Sequence, residues 1–261
     1  MKLFIIMIIV GYFLISAYIY ISQDSKIFNF VEISNQKPIK LKNVKHISLK
    51  ISDSIVLDGV YKKASRQNAP LVIYFGGNSD DATRFLLYVE GLDGYDIVTF
   101  NYRGFVNSSG KPTQKALFSD ALTIYDKFSK GKEVIITGRS LGTGVALYLA
   151  SKRDCKGVVL ITPYDSILSL ARGKYPFLPI SLLLRYKFES VKYIGSVKAP
   201  ISVILVENDA TIPRKNSDRL ISKIKNLDFM EILSNTTHAE VLTHPQFEKT
   251  IQKILKRFYV K

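Results

Sequence analysis

The chain begins with an uninterrupted apolar segment that differs from everything after it. Residues Leu3 to Ile21 carry no charged side chain and are long enough to cross a bilayer as one helix. The segment ends in bulky residues, including Tyr18 and Tyr20, rather than in the small residues of a signal-peptide cleavage site. We therefore predict an uncleaved transmembrane anchor over residues 1–22, with a cleaved signal peptide as the alternative.

The charges around this segment bear on its orientation. Lys2 and the α-amino group favour a cytoplasmic N-terminus, whereas several lysines on the far side favour the opposite arrangement: Lys26, Lys37, Lys40 and Lys42. Because long domains can be translocated despite their charge, our interpretation leans towards a domain outside the cytoplasm. Residues 23–43 lack a strong periodicity and are interpreted as a linker.

Beyond this linker, residues 44–261 alternate between apolar runs and amphipathic segments. Residues His46–Ile51 alternate as a strand does, and Ile55–Tyr61 is the predicted hairpin partner. Further strands are predicted at 71–75, 97–100, 134–137, 158–162, 201–206 and 229–233, and helices at 80–90, 114–128, 140–152, 217–225 and 245–258. Continuous apolar strands separated by helices are typical of a mostly parallel sheet covered on both faces.

The formal net charge of +15 bears on the partners of the protein. Such a charge attracts anionic surfaces, either phospholipid headgroups or nucleic acid. The basic residues are spread along the chain, and no nucleic-acid-binding motif is recognised, so we expect a membrane surface rather than nucleic acid. The oligomeric state stays open. The single cysteine, Cys155, cannot form an internal disulfide and is interpreted as a semi-buried side chain.

A glycine-rich sequence joins the strand predicted at 134–137 to the helix after it. Gly138-Arg139-Ser140-Leu141-Gly142 has the G-x-S-x-G spacing of a nucleophile elbow, and the strand before and the helix after it are the context that this motif requires. The turn is tight, so the flanking residues Gly138 and Gly142 must be small. We predict that Ser140 is a catalytic nucleophile. The alternative is a strand-to-helix turn that only packs or binds phosphate.

A hydroxyl nucleophile needs a base, and the base needs an acid that orients it. Among the three histidines, His238 lies in a polar loop after the last strand, whereas His46 falls within an early strand and His244 precedes the last helix. We therefore predict His238 as the base. Asp209 follows the next-to-last strand and is the predicted acid, with Asp165 as the alternative; the order serine, Asp209, His238 is that of α/β hydrolases.

Backbone N–H groups are needed to bind the oxygen of a tetrahedral intermediate. One predicted donor is the N–H of Leu141, directly after the serine. The second predicted donor is the N–H of Asn78, in the loop Gly76-Gly77-Asn78 after the strand at 71–75, where glycines let the backbone approach a substrate. An ordinary glycine turn is the alternative interpretation of this loop.

Together these residues resemble the α/β-hydrolase superfamily, and more narrowly its Bem46-like, serine aminopeptidase S33-like membrane-anchored serine hydrolases. The resemblance covers residues 45–258 and is carried by short motifs at 101–105, 109–113, 138–144, 162–166, 175–176 and 187–188. It implies an α/β-hydrolase fold and hydrolysis of ester, thioester or amide bonds in lipid-like or acylated substrates. It also implies that no metal or organic cofactor takes part.

The insertion between the strands at 158–162 and 201–206 lies, in chain order, where such enzymes carry a cap. Residues 165–198 contain two apolar runs, at 175–180 and 182–184, which would line a pocket for an acyl chain. Ordinary packing against the sheet is the alternative. We expect a serine hydrolase that cleaves carboxylic esters or thioesters through an acyl-enzyme. A peptide or amide hydrolase and a non-catalytic binding protein at the membrane are the competing hypotheses.

Overall fold

The computed structural model describes residues 1–29 and 41–259, which form one long N-terminal helix and a sheet flanked by helices. The strands are β1 (Val44–Ser52), β2 (Ile55–Lys62), β3 (Leu71–Phe75), β4 (Asp96–Phe100), β5 (Val134–Arg139), β6 (Gly157–Ile161), β7 (Ile201–Asn208) and β8 (Leu227–Thr237). The helices are α1 (Lys2–Ile27), α2 (Gln114–Phe128), α3 (Leu141–Ala150), α4 (Ile167–Lys174), α5 (Ile180–Leu183), α6 (Ser190–Ile194), α7 (Arg214–Ile221) and α8 (Phe247–Arg257).

The eight described strands form one sheet in the order β1-β2-β4-β3-β5-β6-β7-β8. The hairpin β1–β2 and the pair β2–β4 are antiparallel, and all pairs from β4 to β8 are parallel. Strands β3, β4 and β6 are buried along their whole length, because helices cover both faces of the sheet. Two apolar clusters, one on each face, form the core, which confirms the predicted mostly parallel, doubly covered sheet.

Three elements differ from their predicted form. The helix expected at 80–90 is a short 3-10 helix, Ala82–Tyr88, whose apolar residues Phe85 and Leu86 are buried. Helix α7 starts at Arg214, earlier than predicted, directly after Pro213. Strand β8 runs to Thr237, beyond the predicted end, because its polar end still pairs with β7.

An ionic cluster lies where β4 begins, at the edge of the sheet that the N-terminal ends of the parallel strands form. The fully buried carboxylate of Asp96 accepts hydrogen bonds from the backbone N–H of Ala64 at 2.8 Å and the hydroxyl of Tyr61 at 2.7 Å, and it forms an ion pair with Lys132. Burial opposes the charge, but these partners outweigh it and lower the pKa of Asp96 below its usual 3.8. The cluster therefore contributes to stability at neutral pH.

Helix α1 is the one helix in the described ranges that is long and apolar enough to cross a membrane. Side chains of its first half are largely exposed, whereas Ile19, Gln23 and Ile27 near its end are buried against the domain. The helix continues past residue 22, so the first part of the predicted linker is helical through Ile27. Residues 30–40, which include Lys37 and Lys40 of the orientation argument, lie outside the described residues.

Candidate active site

Ser140 occupies a sharp turn between β5 and α3. Its backbone has φ 49° and ψ −118°, a conformation that costs a non-glycine residue energy and persists only where the surroundings enforce it. Here the N–H of Ser140 donates to the carbonyl of Ile161 at 2.9 Å, and its carbonyl accepts the hydroxyl of Thr143 at 2.7 Å. The strain therefore lies at the predicted nucleophile, as in a nucleophile elbow.

The glycines beside Ser140 are required by close backbone approach. A β-carbon at Gly142 would overlap the carbonyl oxygen of Phe75 on the neighbouring strand. A β-carbon at Gly138 would overlap the carbonyl oxygen of Gly142 across the turn. Any larger residue at either position would push α3 away from the sheet and move Ser140. These contacts are the physical reason for the two glycines that the motif specifies.

His238 and Asp209 lie beside Ser140 although they are distant in sequence. The Nε2 atom of His238 is 2.9 Å from the Oγ of Ser140, and its Nδ1 atom is 2.9 Å from an Oδ2 of Asp209. A carboxylate accepts a hydrogen bond, so the pairing favours the tautomer in which Nδ1–H donates to Asp209 and Nε2 accepts the Ser140 hydroxyl. The structure therefore brings the three residues of the predicted triad into one hydrogen-bonded chain.

The carboxylate of Asp209 is itself held in place. Its Oδ1 atom accepts the backbone N–H groups of Thr211 at 3.0 Å and Ile212 at 2.7 Å, which leaves Oδ2 for His238. The alternative acid, Asp165, does not reach His238. It is buried and accepts hydrogen bonds from the backbone N–H of Ser166 and the side chains of Asn216 and Arg219, so it links the cap to α7.

The other two histidines and the single cysteine lie elsewhere. His46 is exposed on β1, and the Nδ1 of His244 accepts the backbone N–H of Gln246 ahead of α8. Burial raises the pKa of the Cys155 thiol to about 12, with a further contribution from Asp154, so the thiol stays protonated at neutral pH. The structure places none of these three beside Ser140.

The predicted oxyanion donors border the same cavity as Ser140. Leu141 is the first residue of α3, so its N–H has no partner within the helix and lies at the positive end of the helix dipole. In the loop after β3, the carbonyl of Gly76 accepts the hydroxyl of Tyr102 at 2.9 Å, and the N–H of Gly77 donates to Asp80 at 2.6 Å. Within the described ranges the N–H of Asn78 has no protein acceptor.

Arg139 is a site residue that the sequence pattern did not reveal. Its guanidinium donates to the carboxylate of Asp80 at 2.5 Å and to the carbonyl of His238 at 2.9 Å, so one side chain connects the loop after β3 to the loop that carries His238. Only 7% of the residue is exposed. Burial opposes its charge, but Asp80 outweighs this effect and raises the pKa of Arg139 above its usual value. Arg139 occupies the variable position between the glycine and the serine of G-x-S-x-G, so the motif does not indicate that it connects these loops.

A cavity of about 880 Å³ opens above Ser140. One side is formed by Ser140, Leu141 and Asn78, and the others by the cap, the start of α7 and the end of α1. Its apolar lining comes mainly from the cap and α1: Ile19, Ile27, Ile167, Leu170, Ala171, Tyr175, Ile180 and Leu184. The insertion at 165–198 therefore covers the site, and its apolar residues line a space large enough for an acyl chain.

Comparison with known proteins agrees with this geometry. The family described as "alpha/beta hydrolase fold" matches residues 74–189. An uncharacterised protein of Mycobacterium tuberculosis (strain ATCC 25618 / H37Rv) is 30% identical over 185 residues, which cover 67% of this chain and 66% of that protein. The chain belongs to the α/β-hydrolase superfamily. The resemblance of the sequence motifs to this superfamily is thereby confirmed.

Two further relatives of this α/β hydrolase carry more specific names. Protein ABHD12B of Homo sapiens is 30% identical over 196 residues, 64% of this chain and 53% of that protein. The lysophosphatidylserine lipase ABHD12 of Danio rerio is 27% identical over 183 residues, 59% of this chain and 47% of that protein. The chain thus spans between about half and just under two thirds of the length of these curated relatives.

Solved structures share the fold of this α/β hydrolase at low sequence identity. The esterase Pf2001 of Pyrococcus furiosus superposes with a TM-score of 0.66 at 19% identity, over 87% of this chain and 98% of that chain. Est1E of Butyrivibrio proteoclasticus, solved with ferulic acid bound, has a TM-score of 0.65 at 17% identity, over 82% of this chain and 98% of that chain. Both structures therefore confirm the predicted fold.

Proposed function

We propose that the protein is a serine hydrolase that cleaves carboxylic ester or thioester bonds of lipid-like acyl substrates. The observation that carries this proposal is the unbroken chain from the Oγ of Ser140 through His238 to Asp209, with 2.9 Å at each step. A serine hydroxyl, a neutral imidazole and a carboxylate in this order are the parts needed to form and resolve an acyl-enzyme.

In the first half of the proposed reaction, the Oγ of Ser140 attacks the acyl carbonyl while the Nε2 of His238 accepts its proton. Asp209 keeps the imidazole in the required tautomer and stabilises its positive charge. The N–H groups of Leu141 and Asn78 bind the oxygen that becomes negative. When the carbon–oxygen or carbon–sulfur bond breaks, the imidazolium returns the proton to the departing alcohol or thiol, and the acyl group stays on Ser140.

In the second half, water clears the acyl-enzyme. His238 accepts a proton from the water as its oxygen attacks the carbonyl carbon, and the same two N–H groups bind the new oxyanion. Collapse of this intermediate expels the Oγ of Ser140, which regains the proton from His238, and the carboxylic acid leaves. The strained backbone of Ser140 supports this cycle because it holds the hydroxyl at a fixed height above the sheet.

Two observations support a lipid-like substrate and a location at a membrane. The cavity beside Ser140 is large and mostly apolar, and relatives of the chain include proteins named as lysophosphatidylserine lipases. Helix α1 has the length and composition of a membrane span. We therefore propose a single-pass protein whose catalytic domain stands at the bilayer surface, on the side outside the cytoplasm.

The experiment that tests the proposal is covalent labelling with a fluorophosphonate, together with turnover of p-nitrophenyl esters of increasing chain length. We expect the wild type to be labelled and active, and Ser140→Ala to lose both properties. The matched control is Ser151→Ala at the other end of α3, which should behave as the wild type. An unlabelled, inactive wild type would favour a non-catalytic binding protein instead, and equal activity in Ser140→Ala would refute Ser140 as the nucleophile.

A further inference from the structure

The end of α1 forms one wall of the cavity that contains Ser140. Ile19, Gln23 and Ile27 lie one helical turn apart, so they share one face of α1, and all three border this cavity. A membrane anchor needs no fixed contact with the domain it carries, because a linker alone would keep the two together. The wall therefore indicates that α1 has a role beyond attachment.

Polar and aromatic contacts fix this end of α1 on the cap. The side-chain amide of Gln23, which is only 3% exposed, donates to the carbonyl of Leu183 at 3.1 Å and accepts the backbone N–H of Arg185 at 2.7 Å. Asp24 forms an ion pair with the same arginine at 2.7 Å. Phe28, 3% exposed, packs against aromatic rings of the cap. These contacts make α1 and the cap one unit.

The tip of the cap carries two apolar side chains that no part of the described chain covers. Phe177 and Leu182 are 89% and 84% exposed, more than any other large apolar side chain that the structure describes after α1. Leu182 belongs to α5, which packs directly against α1. Because α1 is the proposed membrane span, a bilayer that surrounds α1 would also contact this tip of the cap. Exposed apolar groups next to a membrane helix are the features of an interfacial contact.

The charged residues at the cavity are all cationic. Its lining includes Lys26 at the end of α1, Lys174 at the end of α4 and Lys215 in α7, and no aspartate or glutamate of the described ranges lines it. All three lysines are exposed, and none has an acidic partner within 4.0 Å in the part of the chain that the structure describes. Three unneutralised cations at the rim of an apolar cavity favour a ligand with one apolar chain and an anionic group.

We propose that the end of α1 and the cap form a portal to the bilayer, and that the substrate is a membrane-resident amphiphile with an anionic headgroup. The acyl chain enters along the apolar wall, and the headgroup stays at the rim between Lys26, Lys174 and Lys215. The inference rests on the proposed function, because it names the substrate that Ser140 would cleave. It adds the route of entry, the headgroup charge and the residues that recognise it.

The headgroup is tested with full-length protein in neutral vesicles and three esters of the same acyl chain: an acylglycerol phosphate, the matching acylglycerol phosphocholine and the acylglycerol. We expect the wild type to prefer the anionic ester by about tenfold or more in kcat/KM, and this preference to weaken with salt. In the triple variant Lys26→Gln, Lys174→Gln, Lys215→Gln, the ratio of anionic to neutral turnover should fall towards one. A triple glutamine variant of Lys45, Lys130 and Lys223, which do not line the cavity, should keep the ratio.

Outcomes of this comparison separate the two proposals. A wild type that neither cleaves p-nitrophenyl acetate nor reacts with a fluorophosphonate refutes the proposed function, and the portal with it. A wild type that is active on p-nitrophenyl esters but shows no preference for the anionic amphiphile overturns only the headgroup assignment. A preference for the anionic ester that is unchanged in the triple variant of Lys26, Lys174 and Lys215 also overturns only the headgroup assignment.

Contact of the cap tip with the bilayer is tested without reference to activity. The chain contains no tryptophan, so a single Phe177→Trp or Leu182→Trp substitution gives an unambiguous fluorescence signal. We expect a blue-shifted emission in vesicles that is quenched by lipids with brominated acyl chains. The matched control is Leu227→Trp at the start of β8, an exposed position at the opposite edge of the sheet from the cavity. Equal quenching at all three positions, or none at the tip, overturns the portal.

Discussion

The most informative perturbation is the replacement of Arg139, because this side chain joins two loops of the site. In Arg139→Met, a side chain of similar length keeps the packing but removes the hydrogen bonds of the guanidinium to Asp80 and to the backbone at His238 and Ala239. The carboxylate of Asp80, whose side chain is 18% exposed, loses its cation, and the carbonyl of His238 loses a donor. Removal of one partner from a buried ion pair costs about 3–5 kcal/mol. For a domain of this size, that corresponds to roughly 10 °C in the midpoint of thermal unfolding.

The effect on the reaction follows from the same contacts. Without Arg139, the loop of Asn78 and the loop of His238 are no longer tied together, and a displacement of about 1 Å at a catalytic group can reduce the rate about 100-fold. We expect kcat to fall by this order, with a smaller change in KM, since no contact to the acyl chain is lost. Arg139→Lys keeps the charge but not the planar fork, so its kcat should lie between those of Arg139→Met and the wild type.

The assay combines thermal unfolding in detergent, the rate of fluorophosphonate labelling and kcat for a p-nitrophenyl ester. Arg153→Met is the matched control, because Arg153 makes a similar two-bonded pair with Asp126 at the surface, where such a pair is worth about 1 kcal/mol or less. In the double variant Arg139→Met, Asp80→Asn, part of the lost stability should return, but kcat should stay low. A kcat within twofold of the wild type in Arg139→Met would refute the positioning role.

Three further predictions concern the triad, the elbow and pH. Asp209→Asn should lower kcat by about 10³–10⁴-fold, whereas Asp165→Asn should lower the unfolding midpoint but leave kcat within a few-fold; similar losses in both would contradict the assignment of the acid. Gly142→Ala should prevent folding or abolish labelling, because its β-carbon overlaps backbone, and Gly195→Ala, with open space around it, should do neither. Since the pKa of Asp96 is lower in the folded state, its contribution to stability is complete well above pH 3.8 and is lost as pH falls through its folded pKa. Asp96→Asn should therefore be less stable than the wild type at pH 7, with a difference that narrows below about pH 4 in thermal unfolding scans; a constant difference would contradict this linkage.

The sheet and the juxtaposition of Ser140, His238 and Asp209 were predictable from the sequence because they depend on short motifs and on the order of the elements. Buried parallel strands appear as short apolar runs, and the elbow requires glycines at fixed spacing around Ser140. The positions of Asp209 and His238 follow from the same topology, since residues at the carboxyl ends of neighbouring strands meet at one edge of the sheet. Each of these inferences needs only the order of elements along the chain.

The features that escaped prediction depend on contacts between distant parts of the chain. Nothing next to Arg139 in sequence indicates Asp80 or the carbonyl of His238, and arginine at a variable position looks like a surface residue. The segment predicted as a helix at 80–90 forms a 3-10 helix at Ala82–Tyr88, a difference in backbone that an apolar pattern over two turns does not distinguish. Gln23 could have indicated that α1 packs against the cap, because it is a polar residue on the face of α1 that is buried.

The attachment of Gln23 to the cap has a consequence for how the domain stands on a membrane. A helix turns by about 100° for each residue, so one residue inserted into α1 before Ile19 would rotate the membrane-spanning part relative to the cap. With the proposed membrane span fixed to the cap in this way, the domain would not rotate freely about α1, and Ser140 would keep a constant distance from the lipid surface. The length of α1 would then set how far from the bilayer surface a lipid molecule is cut.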